Sequence, residues 1–306
     1  MSFISKPIHQ QVFFITGATS GIGLATVRMA VGQGAKVFMV ARNENDLQKI
    51  QDEMRTIFFE TAYAVADVAE FDQVQSAADN CIRTFGRIDT WVNNAGITIY
   101  SKLLDTTEEE AKRLFDTNFW GMVNGCKIAV PLMREKGGTI INMGSILAKT
   151  ADPLQGIYTA SEHAIRGFTD ALRKELISEK APISLTLLIP GSVDTPFLEH
   201  ARTNTTAASV VTPVSTPEEV ASVVLKCAVK PAKESRVGSA SYFWPFARRV
   251  RVPRSPGSLF SVPEKEGQVR GIQRVPDEVN RHSSLAAGAL AIVGGTLVLF
   301  RKFKII

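Results

Sequence analysis

An unbroken run of apolar and β-branched residues, Val12-Phe13-Phe14-Ile15-Thr16, passes directly into Gly17-Ala18-Thr19-Ser20-Gly21-Ile22-Gly23. Helical spacing of apolar residues (Ile22, Ala25, Val27, Met29, Ala30) begins within that turn. A strand lacking polar alternation suits burial on both faces. Strand, glycine-rich turn and helix in succession form the context in which a glycine pattern acquires meaning. Gly17 permits the tight turn, Gly21 lets backbone approach a pyrophosphate, and Gly23 lets the helix pack on the strand. Thr19, Ser20 and Ile22 complete a loop whose helix N-terminus offers free N–H groups to phosphates. A purely structural glycine turn is the competing reading, and the flanking strand and helix weigh against it.

The alternation continues along the chain. Lys36–Val40 reads as a strand, Asn45–Phe59 as a polar helix with Leu47, Ile50 and Met54 inward, and Ala62–Ala66 as a third strand. A helix over 70–85, a strand over Ile88–Val92 and one or two helices over 107–135 follow. A fifth strand spans Gly138–Ser145, a long helix Gly156–Leu176, a sixth strand Ile183–Ile189 and a last helix Pro217–Val229. Strands alternating with helices of this length imply an α/β fold, a doubly wound parallel sheet covered on both faces.

Length and charge set the domain plan. The 306 residues, 45% hydrophobic, allow one large domain over 1–250 and a tail. A Pro- and charge-rich linker is expected over 251–284 and an apolar helix with a basic end over 285–306. Residues 231–306 hold 13 Lys/Arg against 5 Asp/Glu, whereas the remainder holds 22 against 25. The basic balance therefore belongs to the tail. With no basic-aromatic binding module in view, it points away from nucleic acid and toward an anionic membrane surface. The run from Leu285 to Phe300 carries no charge and precedes Arg301, Lys302 and Lys304. A C-terminal membrane anchor is the first reading and a buried dimer-contact helix the second. Aromatics and arginines over 242–254 suit a membrane interface or a substrate-side flap. Cys81, Cys126 and Cys227 lack metal or redox spacing, and Met1–Gln11 lacks a signal-peptide core. The expectation is a cytoplasmic domain with reduced thiols and no metal.

Several separate motifs are similar to those of the short-chain dehydrogenase/reductase (SDR) family. The glycine loop has the form Thr-Gly-x-x-x-Gly-x-Gly, and Asn93-Asn94-Ala95-Gly96 matches the family's Asn-Asn-Ala-Gly quartet. Gly156-Ile157-Tyr158-Thr159-Ala160-Ser161-Glu162 resembles its active-site helix, with Ser145 thirteen residues before Tyr158. The resemblance covers residues 8 to about 240. It implies Tyr158 as general acid/base, Ser145 orienting the substrate oxygen, and Asn118 holding a water in the proton relay. It also implies Asp67 and Val68 beside adenine, and Asn94, Ala95 and Gly96 near the nicotinamide ribose. Pro190, Gly191, Val193 and Thr195 would form the loop on the nicotinamide side. The second strand ends in Arg42 instead of an acid that would grip the ribose of NAD, which favours NADP(H) over NAD(H). Family members pair through the helices bearing Asn118 and Tyr158, so a homodimer or homotetramer is implied. Residues 193–216 read as a substrate lid.

One position departs from the family pattern. Tyr-x-x-x-Lys is the motif, and Glu162 occupies the lysine place. A charge roughly 6 Å from the phenol at an effective dielectric of about 20 is worth about 3 kcal/mol. Exchanging plus for minus would then disfavour phenolate by roughly 4 pKa units, unless Glu162 is protonated. Lys149 and His163 are the nearest candidate substitutes in sequence, His163 about 140° around the helix from Tyr158. Two functions are therefore carried forward. One is an NADP-dependent oxidoreductase acting on a carbonyl or secondary alcohol, membrane-anchored and with activity weakened by Glu162. The alternative is an NADP(H)-binding SDR-fold pseudoenzyme that serves as a membrane-associated sensor or partner.

Overall fold

The computed structural model describes residues 5–55, 60–197, 201–203, 214–238, 291–293 and 296–298. The chain divides into two compact units, Met1–Val252 and Pro253–Ile306. In the first, β1 (Val12–Thr16), α1 (Gly21–Gly32), β2 (Lys36–Ala41), α2 (Glu44–Arg55) and β3 (Thr61–Val65) alternate from the start. They are followed by α3 (Phe71–Phe85), β4 (Thr90–Asn93), β5 (Ile99–Tyr100), α4 (Glu108–Phe115) and α5 (Gly121–Met133). Then come β6 (Gly138–Met143), α6 (Gly156–Ser178), β7 (Ile183–Pro190), β8 (Arg202–Thr203), α7 (Pro217–Val229) and β9 (Glu234–Val237).

Seven of these strands pair in parallel in the order β3-β2-β1-β4-β6-β7-β9. All five residues of β1 are buried. Alternate side chains therefore feed two cores, as a strand's period of two requires. Phe14, Phe38 and Trp91 belong to one face, with Phe14 and Trp91 stacked 3.9 Å between centroids. Phe13, Ile15, Val37 and Met39 belong to the other, under α1 and α7. Thr107 and Thr216 start α4 and α7 with reciprocal capping boxes to Glu110 and Glu219.

The strand order reverses between β1 and β4, and ligands of open α/β sheets bind at such a point. The turns after these two strands are stitched together. Asn94 Nδ2 donates to the Thr16 and Gly17 carbonyls at 3.0 and 3.2 Å, and Thr16 Oγ1 accepts from the Asn94 and Ala95 amides.

The parallel sheet and the helical stretch over 107–135 agree with the sequence expectation, and two features depart from it. The one or two helices over 107–135 are a single rod, in which a π-helical turn at Asp116–Trp120 joins α4 to α5 with helical dihedrals at both junctions. A seventh strand, β9, closes one edge; it is short and charged, as edge strands are, and so lacks an apolar signal. In the second unit, β10 (Ala291–Val293) and β11 (Thr296–Val298) pair antiparallel, where the sequence reading expected a helix over 285–306. Gly294-Gly295 between them is a weak helix former and a strong two-residue hairpin signal, and Ile292, Val293 and Val298 are β-branched. Among the described residues no helix is long and apolar enough to cross a membrane. Most of the lid expected over 193–216 and all of the linker over 251–284 lie outside the described residues.

Candidate active site

A cavity of about 710 Å³ opens above the carboxyl ends of β1, β4, β6 and β7. At one end it is lined by Gly17, Thr19, Ser20, Gly21 and Ile22. No side chain caps the N-terminus of α1, which leaves that end to a ligand. Gly17 and Gly21 have φ of 64° and 50°, the left-handed region that glycine tolerates. A Cβ on Gly23 would fall 2.0 Å from the Gly17 carbonyl oxygen, so this glycine packs beneath the loop and does not line the cavity. Arg42 and Asn43 follow β2 at the rim, with Arg42 exposed and in no ion pair among the described residues. Asn43 donates to Asp46 at 2.6 Å. Asp67 is held by Arg113 of α4 at 2.6 Å, and its other oxygen accepts from the Ala69 amide.

The opposite end gathers Ser145, Tyr158 and Glu162. Ser145 arrives at the end of β6 and caps a short 3-10 turn, its hydroxyl accepting from the Leu147 amide. Tyr158 and Glu162 are one turn apart on α6, as their spacing predicts. Asn118, in the π turn, has its amide committed at both ends: Oδ1 accepts from the Ile97 amide and Nδ2 donates to the Ile97 carbonyl, each at 2.8 Å. Its side chain thus clamps the loop after β4. Val68, Asn94, Ala95, Gly96, Pro190, Gly191, Val193 and Thr195 also line the cavity.

The electrostatics are set by burial. Glu162 is 3% exposed, and its Oε2 has no hydrogen-bond partner among the described residues. Burial pushes its carboxyl up to about 8, against the lowering effect of hydrogen bonds with Tyr158 and the Ser145 backbone. Burial, then the charge of Glu162, raises Tyr158 well above the usual phenol range; a hydrogen bond with Ser145 opposes them. Neither candidate cation offsets this. Lys149 pairs with Glu234 at 2.6 Å, together with Arg166 and Arg236. His163 is exposed and its Nδ1 lies 2.9 Å from the Thr159 carbonyl.

Sequence reasoning did not single out several cavity residues, among them Tyr100, Asp152, Gln155 and, within the expected lid, Phe197. Phe197 meets the Tyr158 ring edge-on at 6.0 Å. Helical or strand periodicity cannot reach such residues, because Asp152, Gln155 and Phe197 lie on connections and Tyr100 ends a two-residue strand too short to show a period.

Comparison with known proteins places this geometry. A family model described as short chain dehydrogenase matches residues 11–206. An uncharacterized oxidoreductase, YxnA of Bacillus subtilis, is 41% identical over 238 residues, covering 76% of this chain and 67% of the relative. A 3-ketodihydrosphingosine reductase of Bacteroides thetaiotaomicron is 35% identical over 195 residues, covering 63% and 68%. Among solved structures, an alcohol dehydrogenase from Thermococcus sibiricus complexed with 5-hydroxy-NADP aligns with a TM-score of 0.66 at 26% identity, covering 76% of this chain and 97% of that one. A short chain dehydrogenase/reductase from Burkholderia phymatum in complex with NAD shares the fold, with a TM-score of 0.71 at 23% identity, covering 85% and 100%. The chain belongs to the short-chain dehydrogenase/reductase family of oxidoreductases.

Proposed function

We propose that the protein is an NADP(H)-dependent carbonyl reductase in which Glu162 occupies the place of the family lysine. The observation that carries this reading is one cavity joining the uncapped glycine loop of α1 to Tyr158 and Ser145. The cavity volume lies within the roughly 300–1,000 Å³ usual for small-molecule sites. The residues present fit a nicotinamide dinucleotide: a glycine cradle at the phosphate end and a proton donor at the far end. The cofactor supplies hydride when bound.

The protein's own groups handle the proton. The Tyr158 hydroxyl donates to the substrate oxygen, and the Ser145 hydroxyl orients that oxygen by hydrogen bonding. With its carboxyl near 8, Glu162 is about nine-tenths neutral at pH 7. Repulsion of the phenolate is then relieved, but no cation stabilises it. Tyr158 therefore remains a phenol, the form that reduction needs, while the phenolate base required for alcohol oxidation is scarce. The relative named a 3-ketodihydrosphingosine reductase supports a keto substrate, and Ile97, Leu147 and Phe197 give the substrate end an apolar wall.

Arg42 supports the NADP(H) preference, since a guanidinium at the cavity rim with no carboxylate partner among the described residues suits a 2′-phosphate. NADPH is expected to bind more tightly than NADH, and Arg42→Ala to weaken NADPH alone by about 10–100-fold, the worth of a charged hydrogen bond. Equal affinities in the unaltered protein would contradict the preference. Cofactor fluorescence titration with a carbonyl-substrate screen tests the whole reading. NADPH binding with turnover supports it, whereas binding with no turnover on any ketone or aldehyde supports the alternative of a cofactor-binding partner protein. The absent cation beside Tyr158 is the observation that favours that alternative.

The uncharged run 285–300 with its basic end is read as a membrane attachment. Deleting residues 283–306 should move the protein from the membrane pellet to the supernatant. A full-length protein that stays in the supernatant without detergent contradicts the attachment.

A further inference from the structure

Six buried side-chain oxygens lack a hydrogen-bond partner among the described residues, and five of them are threonine hydroxyls. The sixth is Glu162 Oε2, on a residue that lines the cavity beside Tyr158. Gly144 packs beside it, where a Cβ would lie at the ordinary contact distance of 3.6 Å from Oε2. Oε2 itself is closed to a water-sized probe, so a ligand in the cavity meets this carboxyl as a nearby charge acting across a short gap.

Among the described residues, the cations on the elements around Glu162 are engaged elsewhere. From α6, Tyr158 stays protonated, Arg166 is paired with Glu234, and His163 is exposed with its ring nitrogen on the Thr159 carbonyl. From the loop after β6, Ser145 is uncharged and Lys149 is paired with Glu234. Across the cavity, burial and then the charge of Asp152 hold Tyr100 in its neutral form. Asp152 shares the substrate end with it.

Resting on the reading of Tyr158 and Ser145 as the reacting end, we infer that Glu162 makes this site select the oxidation state of the nicotinamide in a pH-dependent way. The oxidised ring carries a positive charge and the reduced ring carries none. A carboxylate here attracts the oxidised form, and a neutral carboxyl does not distinguish the two. Preference for oxidised over reduced cofactor therefore rises as Glu162 ionises, and binding of the oxidised form expels its proton. A cation in the same place would act in the opposite sense.

The test is calorimetric titration with NADP⁺ and NADPH between pH 6.5 and 9, in buffers of different ionisation enthalpy, for the unaltered protein and Glu162→Gln. The ratio of the NADPH to the NADP⁺ dissociation constant should rise about tenfold, the factor for unit charges roughly 8 Å apart at an effective dielectric of about 30. Near pH 7.5, NADP⁺ should release a proton that NADPH does not. Glu162→Gln should flatten the ratio and abolish the release. A ratio independent of pH in the unaltered protein, or unchanged by the substitution, overturns the inference while the proposed function stands. Failure of both forms to bind overturns the proposed function and this inference together.

Discussion

Two carboxylates of the same domain end in opposite electrostatic states. Glu162 on α6 is buried with no cation near it, and burial carries its pKa to about 8. Glu234 on β9 is also largely enclosed, its side chain 21% exposed. Burial pushes it upward too, but hydrogen bonds from Lys149, Arg236 and Arg166 outweigh that and hold it at about 2. The side chains are chemically identical. The difference lies in their partners, and it shows how a carboxyl can sit in an active site at neutral pH without carrying charge. Lys149 and Arg166 come from the same loop and helix as the reacting groups, yet both turn to Glu234.

Placing a cation at 162 breaks the comparison most strongly. Glu162→Lys should raise ketone reduction at neutral pH by about 10²–10⁴-fold, the share that general acid catalysis supplies, with Tyr158→Phe in that background removing the gain. Steady-state kinetics checks this, and an unchanged or lower rate would mean that the relay works without a cation.

The next effect is on stability at alkaline pH. The folded pKa of Glu162 is raised above its ordinary value of 4.5, so the folded state binds the proton more tightly than the unfolded state. That stabilisation is present below about pH 4.5 and lost as pH rises through about 8, amounting to as much as about 5 kcal/mol. Denaturant unfolding from pH 5 to 9 should show the loss in the unaltered protein and not in Glu162→Gln.

Glu234 should give the mirror image, smaller in size. Its folded pKa is depressed from 4.5 to about 2, so its contribution is present above about pH 4.5 and lost as pH falls toward 2, about 3 kcal/mol in all. Glu234→Gln should remove this acid limb while leaving the alkaline limb in place. Loss of both limbs in either variant would show that the two carboxylates are coupled.

The smallest effect separates charge from shape. At pH 6.5, where Glu162 is neutral, Glu162→Gln should change reductase activity by no more than about twofold. An increase should emerge only as pH passes 8. A ranking of Lys above Gln above Glu is therefore expected in alkaline solution, while Gln and Glu converge near neutrality.

What sequence could reveal follows from the range of the interactions. The glycine loop, the Asn93–Gly96 turn, Ser145 and the Tyr158–Glu162 face are readable because each is a local backbone or helix-spacing fact. They converge on one cavity because the strand order reverses between β1 and β4. The engagement of Lys149 depends on Glu234, 85 residues away on an edge strand that has no apolar signature. The clamp of Asn118 on Ile97 depends on the π turn, which shifts the helix register by one residue. In the tail, total apolarity masked the Gly294-Gly295 turn signal that separates two strands.

The central claim is that Glu162 is an uncharged acid at neutral pH because it is buried without a cation. Its carboxyl carbon can be followed by ¹³C NMR in protein labelled at glutamate, with Glu162→Gln assigning the signal. A single titration with a midpoint near 8 is expected. A midpoint near the ordinary 4.5 would show a charged carboxylate beside Tyr158 and contradict the claim.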